Sequence, residues 1–184
     1  ILAIPAGGVP VGYILSKRLK LPFDVIVMRK IHIPWNQEAG FGAISWDGIV
    51  LFNEPLLRSL DLTKEEIGRQ IGVEKEAIKR RLKLFRGDKP FPDLAERTVV
   101  ITDDGLASGY TMLAAVKSVK KRKPKEVIVA VPTGSGNAID LLIPHVEKLI
   151  CLNIRTGFSF AVADAYESWY DLEEEDVIKI LEKI

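Results

Sequence analysis

The sequence has one cysteine, Cys151, so no intrachain disulfide can form, and the chain suits a reducing cytoplasm rather than an oxidising compartment. It has two histidines, His32 and His145, and no grouping of His, Cys or acidic residues at metal-ligand spacing, which excludes a protein-built zinc site. Neither sign of charge is in excess. A formal charge of +1 gives no electrostatic case for nucleic acid or for an anionic membrane surface. No apolar run is long enough to span a bilayer, and no basic segment followed by an apolar stretch marks a secretory leader. The G-x-x-x-x-G-K-[ST] phosphate loop is missing, which excludes kinase-type nucleotide binding. The chain also lacks an initiator Met and opens inside an apolar run, Ile1 to Ile4, so an upstream segment is read as missing. What remains, 184 residues with 47% hydrophobic, is enough to bury one core without staples and is read as one domain.

The stretch from Thr98 to Thr111, T-V-V-I-T-D-D-G-L-A-S-G-Y-T, organises the rest. Val99, Val100 and Ile101 form a β-branched run of the kind buried on both faces of a parallel sheet, and it stops at the paired carboxylates Asp103 and Asp104. Gly105, Ser108 and Gly109 make a turn of small residues. Met112, Ala115, Val116 and Val119 follow at helical spacing, so the turn also opens a helix. Backbone N–H groups from Ala107, Ser108, Gly109, Tyr110 and Thr111 can converge there on a phosphate, where the helix dipole favours negative charge. Carboxylates would repel that phosphate. Asp103 and Asp104 therefore address another part of the ligand, and vicinal ribose hydroxyls, which donate to ionised acceptors, fit.

This run resembles the phosphoribosyl pyrophosphate (PRPP) motif of type I phosphoribosyltransferases: apolar strand, two acidic residues, and a small-residue loop ending in Thr. The resemblance implies that Asp103 and Asp104 hold the ribose hydroxyls and that Ala107 to Thr111 bind the 5′-phosphate. Tyr110 departs from the pattern, where a small residue is commoner. The loop Ala6-Gly7-Gly8, between the first strand and a helix carrying Val11, Ile14, Leu15 and Leu19, resembles the family's pyrophosphate loop, with Ala6 replacing the usual basic residue. A strand over Asp24–Met28 ends at Arg29-Lys30, and the family implies that such a basic pair meets the pyrophosphate.

Residues 31–45 lack clear periodicity and resemble the family's mobile substrate-covering loop. Gly42–Trp46 and Ile49–Phe52, joined by Asp47-Gly48, predict a hairpin with a type I′ turn. Thr63 and Glu66 predict a capping box, and Ile67, Ile71, Ile78, Leu82 and Phe85 hold one helical phase to about Gly87. The same segment superficially resembles a helix-turn-helix with its turn at Gly72. The unbroken apolar phase and the acidic residues Glu65, Glu66, Glu74 and Glu76 favour one long helix. The basic run Lys117–Lys125 is read as a solvated helix end, and Pro132-Thr133-Gly134-Ser135-Gly136-Asn137 as a turn that either serves structure or adds a phosphate nest. Val146–Leu152 is the last core strand. The tail holds Phe158, Phe160, Tyr166, Trp169 and Tyr170, the pool from which a hood could stack on a base or build its own small core, and ends in a helix over about Glu173–Glu182.

Together these features predict a three-layer α/β fold with a mostly parallel central sheet: a core over about 1–152, a hairpin and long helix inserted over about 31–87, and a small hood over about 153–184. The resemblance covers nearly the whole chain and implies transfer of ribose 5-phosphate from PRPP to a nitrogen nucleophile of nucleobase type, with Mg²⁺ carried largely by PRPP. A second reading is a non-catalytic PRPP or nucleotide sensor that regulates transcription or a partner enzyme. Neither His32 nor His145 is singled out as a catalyst, no catalytic acid or base is assigned, and a homo-oligomer is left open.

Overall fold

A computed structural model describes residues 1–157 and 160–184. In chain order the elements are β1 (Leu2–Ala3), α1 (Gly8–Leu19), β2 (Asp24–Val25), β3 (Met28–Ile33), β4 (Asn36–Ser45), β5 (Val50–Phe52), α2 (Glu54–Ser59), α3 (Lys64–Arg86), β6 (Thr98–Thr102), α4 (Tyr110–Lys120), β7 (Glu126–Ser135), α5 (Gly136–Leu142), β8 (Lys148–Arg155) and α6 (Glu174–Leu181), with short 3₁₀ turns at Ile143–His145 and Val162–Ala165. The central sheet is five-stranded and parallel in the order β2-β1-β6-β7-β8, and a three-stranded antiparallel sheet runs β3-β4-β5. The predicted α/β class with a mostly parallel sheet is what the chain adopts. No described helix is long and apolar enough to cross a membrane.

The layers follow from which faces are apolar. Val99 and Ile101 of β6, with Val127 and Val129 of β7, face α4, whose Met112, Ala114, Ala115, Val116 and Val119 are buried on all sides. A helix apolar all round needs cover all round. The smaller sheet supplies it, through Met28 and Ala43. On the far side of that sheet Ile31, Phe41 and Ile44 pack against Ile78, Ile67 and Ile71 of α3. Across the central sheet, Ala3 and Val25 pack with Val9 of α1 and Val177 of α6. The last helix therefore returns to the core, and Arg80 and Arg81 of α3 both donate to Glu174 at its start.

Four local expectations are corrected. The strand expected over Asp24–Met28 is divided: β2 stops at Val25, the Ile26 N–H still donates to Ala3 O at 2.9 Å, and β3 starts at Met28 in the other sheet. The stretch 31–45, expected as an aperiodic loop, is instead the end of β3 and all of β4. A register shift between Ile31 and His32, and another between His32 and Ile33, breaks the two-residue alternation that would have marked a strand. The turn after Ser45 is not type I′. Gly48 N–H donates to Ser45 O, and only Gly48 takes positive φ, at 87°, as in a type I turn closed by a left-handed glycine. The Asp47 carboxylate favours that geometry by accepting from Ser45 Oγ and Ser118 Oγ. Finally, β8 is an edge strand, with Leu152 82% exposed, rather than a core one. The Thr63–Glu66 capping box is present, and α3 runs unbroken through Gly72, which removes the helix-turn-helix.

Candidate active site

The C-terminal edge of the central sheet brings two separate loops into contact. Asp103 and Asp104 leave β6, and Ala6-Gly7-Gly8 leaves the neighbouring β1 and crosses directly over them. A Cβ on Gly7 would lie 1.7 Å from Asp104 Oδ2, and one on Gly8 would lie 2.8 Å from Thr102 O and 2.9 Å from Asp103 Cα. Glycine is needed here for close approach. The Gly8 N–H is already committed to Ile4 O at 3.0 Å, whereas the Gly7 N–H has no acceptor among the described residues. Ala6 contributes no charge to this loop.

Burial, followed by the neighbouring Asp104 charge, pushes the Asp103 carboxyl well above its ordinary value. Burial raises Asp104 too; a hydrogen bond with the Asp103 carboxyl, followed by backbone N–H groups, partly offsets this, and the charge of Asp171 adds a smaller increment. Two adjacent half-buried carboxylates are thus held at an electrostatic cost that hydroxyl donors or a cation would relieve. Tyr166 Oη donates to Asp104 O at 2.7 Å, and its phenol is pushed up to about 12 by burial and by the charges of Asp104 and Asp103.

After the pair, the chain is stitched to the end of β7. Leu106 N–H donates to Thr133 O at 3.0 Å, Ser135 N–H donates to Leu106 O at 2.9 Å, and Ser135 Oγ donates to Ala107 O at 2.6 Å. Ser135 also caps α5 by accepting from Ala138 N–H. The Gly-Ser-Gly turn therefore buttresses the loop from Leu106 to Ala107, and the Ser135 N–H is committed to Leu106 O. Gly109 takes φ 81° and opens α4, which has no side-chain cap and no acid in its first turn. Its first N–H groups remain available to an anion. Tyr110 is partly buried against the core, so its bulk leaves the loop backbone clear.

These groups surround a cavity of about 370 Å³, lined by Asp103, the loop from Gly105 to Thr111, Lys30 and Asn53. Arg29 and Lys30 do not act as a pair. Successive strand residues face opposite ways, so Lys30 reaches the cavity while Arg29 turns to α3, where its Nε donates to Glu74 Oε2 at 2.7 Å. The bulge after Ile31 puts His32 on the same side, with Nδ1 2.7 Å from Glu74 Oε1. Burial raises the Glu74 carboxyl, but hydrogen bonds from His32 and Arg29 and their charges outweigh it and leave it below the usual range. Lys30 lies across Gly40, where a Cβ would fall 2.2 Å from its Cγ, and its Nζ donates to Glu38 O at 2.9 Å.

A second cavity, about 260 Å³, opens on the other side of Asp104 and is walled by Tyr166, Trp169, Tyr170 and Asp171. Tyr166 and Trp169 meet edge-on with centroids 5.2 Å apart. Phe160 lines a different hollow, and Phe158 lies outside the described residues.

Sequence motifs alone do not mark Glu74, Gly40, Tyr166 as a hydrogen-bond donor, or Asp171 as site residues. Glu74 does carry a signal: it falls on the apolar phase of α3, between Ile71 and Ile78, where an acid is out of place unless it is paired.

Comparison with known proteins places the chain among related sequences. The family model described as "Phosphoribosyl transferase domain" matches residues 1–165. A Mycobacterium tuberculosis (strain H37Rv) protein named "Putative phosphoribosyl transferase Rv0571c" is 31% identical over 183 residues, which is 100% of this chain and 41% of the relative. The chain thus spans less than half the length of that relative. A uracil phosphoribosyltransferase of Mycoplasma genitalium is 39% identical over 64 residues, 32% of this chain and 31% of that protein. The crystal structure of TT1426 from Thermus thermophilus is similar with a TM-score of 0.76 at 30% identity, covering 99% of this chain and 86% of that one.

Proposed function

The chain belongs to the phosphoribosyl transferase family, and from that premise we propose that its site transfers ribose 5-phosphate from PRPP to a ring nitrogen of a nucleobase-like acceptor, with release of pyrophosphate. One observation supports this above the others: Asp103, the first carboxylate of the acidic pair, and an uncapped helix N-terminus line one cavity of about 370 Å³, with Asp104 next to Asp103 in the chain. The N-terminus of α4 takes the 5′-phosphate, and Asp103 and Asp104 accept from the ribose hydroxyls. Gly7 N–H and Lys30 face the departing pyrophosphate. The bond from C1′ to the pyrophosphate oxygen breaks with its electron pair leaving on that oxygen. The acceptor nitrogen forms the new bond to C1′ and gives its proton to solvent. Positive charge develops at C1′ in between, so catalysis is positioning and electrostatics.

Mg²⁺ is implied by this chemistry. Among the described residues no group of three or more His, Cys, Asp or Glu could hold a metal alone. The carboxylate pair fits an ion whose remaining ligands come from PRPP and water. When bound it neutralises charge on the leaving group.

The test is calorimetric titration of PRPP with Mg²⁺ into the wild type and into Asp103→Asn/Asp104→Asn. A loss of about 1.5–3 kcal/mol for each charged hydrogen bond is expected. Equal binding by both proteins, or by neither, refutes the reading. Pyrophosphate release that requires an added ring then identifies the reaction.

A further inference from the structure

Lys30 is seated by the neighbouring strand rather than by its own. Its Nζ donates to Glu38 O at 2.9 Å, and its stem crosses Gly40. Both of those residues lie where β4 pairs least regularly with β3. The ladder is continuous from Met28 opposite Ser45 to Ile31 opposite Gly42; it then skips Phe41, pairs His32 with Gly40, and skips 37–39 before Ile33 meets Asn36. Among the described residues, His32 with Gly40 is the one pair between the two shifts. Gly40 and Gly42 flank Phe41, and a glycine-rich strand specifies its register weakly. Backbone pairing alone therefore leaves the position of Glu38 and Gly40, and of Lys30 with them, poorly fixed.

Side chains supply what the ladder lacks. Phe41, the residue that is skipped, is fully buried and packs in the cluster of Ile31 and Ile78. Asn36 Oδ1 accepts from the N–H groups of Glu38 and Ala39 at 3.0 and 3.2 Å, which closes the turn. The third anchor is His32. Its ring is not among the groups that line the ligand cavity, and its Nδ1 lies 2.7 Å from Glu74 Oε1 on α3. A carboxylate ionised beside the Arg29 guanidinium only accepts, so Nδ1 donates. Glu74 is buried in a helix that runs unbroken over Lys64–Arg86, so the bond ties the irregular end of the ribbon to a fixed support. Resting on the phosphoribosyl-transfer reading above, we infer that His32 is a positioning residue: by binding Glu74 it holds the β3–β4 ribbon in the register that seats Lys30 for the pyrophosphate. It touches no reacting atom and carries no proton in the reaction. The groups assigned to the ribose and the 5′-phosphate belong to β6, α4 and the loop between them, outside the ribbon that His32 holds.

The experiment is calorimetric titration of PRPP with Mg²⁺ and, separately, of ribose 5-phosphate, which lacks the pyrophosphate. The proteins are the wild type, Lys30→Ala, His32→Ala, the double variant, and His32→Asn, whose side-chain amide nitrogen stands in for Nδ1. Lys30→Ala should bind PRPP roughly 10- to 100-fold more weakly, the loss of one charged hydrogen bond. His32→Ala should lose most of that factor, the double variant should lose little beyond Lys30→Ala, and His32→Asn should recover most of the wild-type affinity. Ribose 5-phosphate affinity should be unchanged in every variant. A histidine that only supports the fold would instead lower both affinities together, and its loss would add to that of Lys30→Ala. Should His32→Ala fail to fold, His32→Leu, which keeps bulk without the donor, carries the same comparison. Wild-type PRPP affinity in Lys30→Ala or His32→Ala, additive losses in the double variant, or an equal loss of ribose 5-phosphate affinity overturns the inference. Failure of the wild type to bind PRPP is a separate result that removes the underlying reading and this inference with it.

Discussion

Gly7 and Gly8 are adjacent, yet replacing each by alanine should do different damage, because the added methyl meets different atoms. In Gly7→Ala the Cβ falls 1.7 Å from Asp104 Oδ2 and 2.3 Å from its Cγ, where ordinary contact begins at 3.4 Å. The Asp104 side chain must rotate away and, with its Cβ at 2.9 Å, the loop must also give by a few tenths of an ångström; a carboxylate so displaced cannot hold a ribose hydroxyl in the same place. The expected cost is one charged hydrogen bond, about 1.5–3 kcal/mol, or roughly 10- to 100-fold in PRPP affinity. In Gly8→Ala the methyl meets backbone, Thr102 O at 2.8 Å and Asp103 Cα at 2.9 Å, and backbone in the central sheet cannot rotate aside. Overpacking of this kind costs about 1–3 kcal/mol. For a chain of this size that lowers the melting temperature by roughly 2–12 °C. Thermal melts without ligand and PRPP titrations on both variants separate the two effects. Gly7→Ala should lose mainly affinity and Gly8→Ala mainly stability. Wild-type PRPP affinity in Gly7→Ala, or a wild-type melt in Gly8→Ala, refutes the claim that the first loop rests on the acidic pair.

Two further predictions concern charge. Asp103 has a folded value raised above its ordinary 3.8 by burial and by Asp104. Below that ordinary value both states are protonated and nothing is lost; as pH rises towards the raised value the native state is increasingly penalised. Asp103→Asn should therefore melt higher than wild type at neutral pH without ligand, the advantage vanishing in acid, while PRPP binding falls. A lower melt at pH 7 would contradict this. Glu74 has the opposite sign: its depressed carboxyl stabilises the fold above the ordinary 4.5, and this is lost as pH falls through the depressed value. Glu74→Gln should lose about 1.5–3 kcal/mol at pH 7, a drop of roughly 3–12 °C, and approach wild type at low pH. A difference in melting that persisted undiminished into acid would refute the role assigned to the Arg29–Glu74–His32 cluster.

The parallel sheet and the acidic loop are legible because each rests on a local pattern. A β-branched run such as Val99–Ile101 can be buried on both faces only in a sheet covered on both sides, and the capping box at Thr63 marks where the long helix begins. What the sequence hides is geometry carried by interruptions. The register shifts flanking His32 scramble the period of β3 and β4, so an ordered ribbon looks like a loop. Arg29 and Lys30 look like one basic pair as long as adjacency in sequence is given more weight than alternation along a strand. The crossing of Ala6–Gly8 over Asp103–Asp104 joins residues far apart in the chain, and only the packing shows why two glycines are needed there. Glu74 reads as a solvated charge from composition, although its helical phase points inward.

The alternation of β3 also decides how charge is distributed around the proposed reaction. Glu74 is 3% exposed and holds both Arg29 and His32 at 2.7 Å, so neither can turn to the cavity without leaving one oxygen of a buried carboxylate unpaired. Ala6, in the loop that crosses the acidic pair, carries no charge. Among the described residues lining the cavity of about 370 Å³, which include Glu38 and Asp103, Lys30 is the one cation, and its stem crosses Gly40 because no side chain blocks it. A departing pyrophosphate carries more negative charge than one ammonium can neutralise. Under the proposed reaction the balance falls to the Gly7 N–H, the other backbone donors of the loops, and the divalent cation that accompanies PRPP. Arg29 then serves catalysis only through position: by binding Glu74 it pins β3 to α3 and so holds Lys30 on the face that meets the ligand.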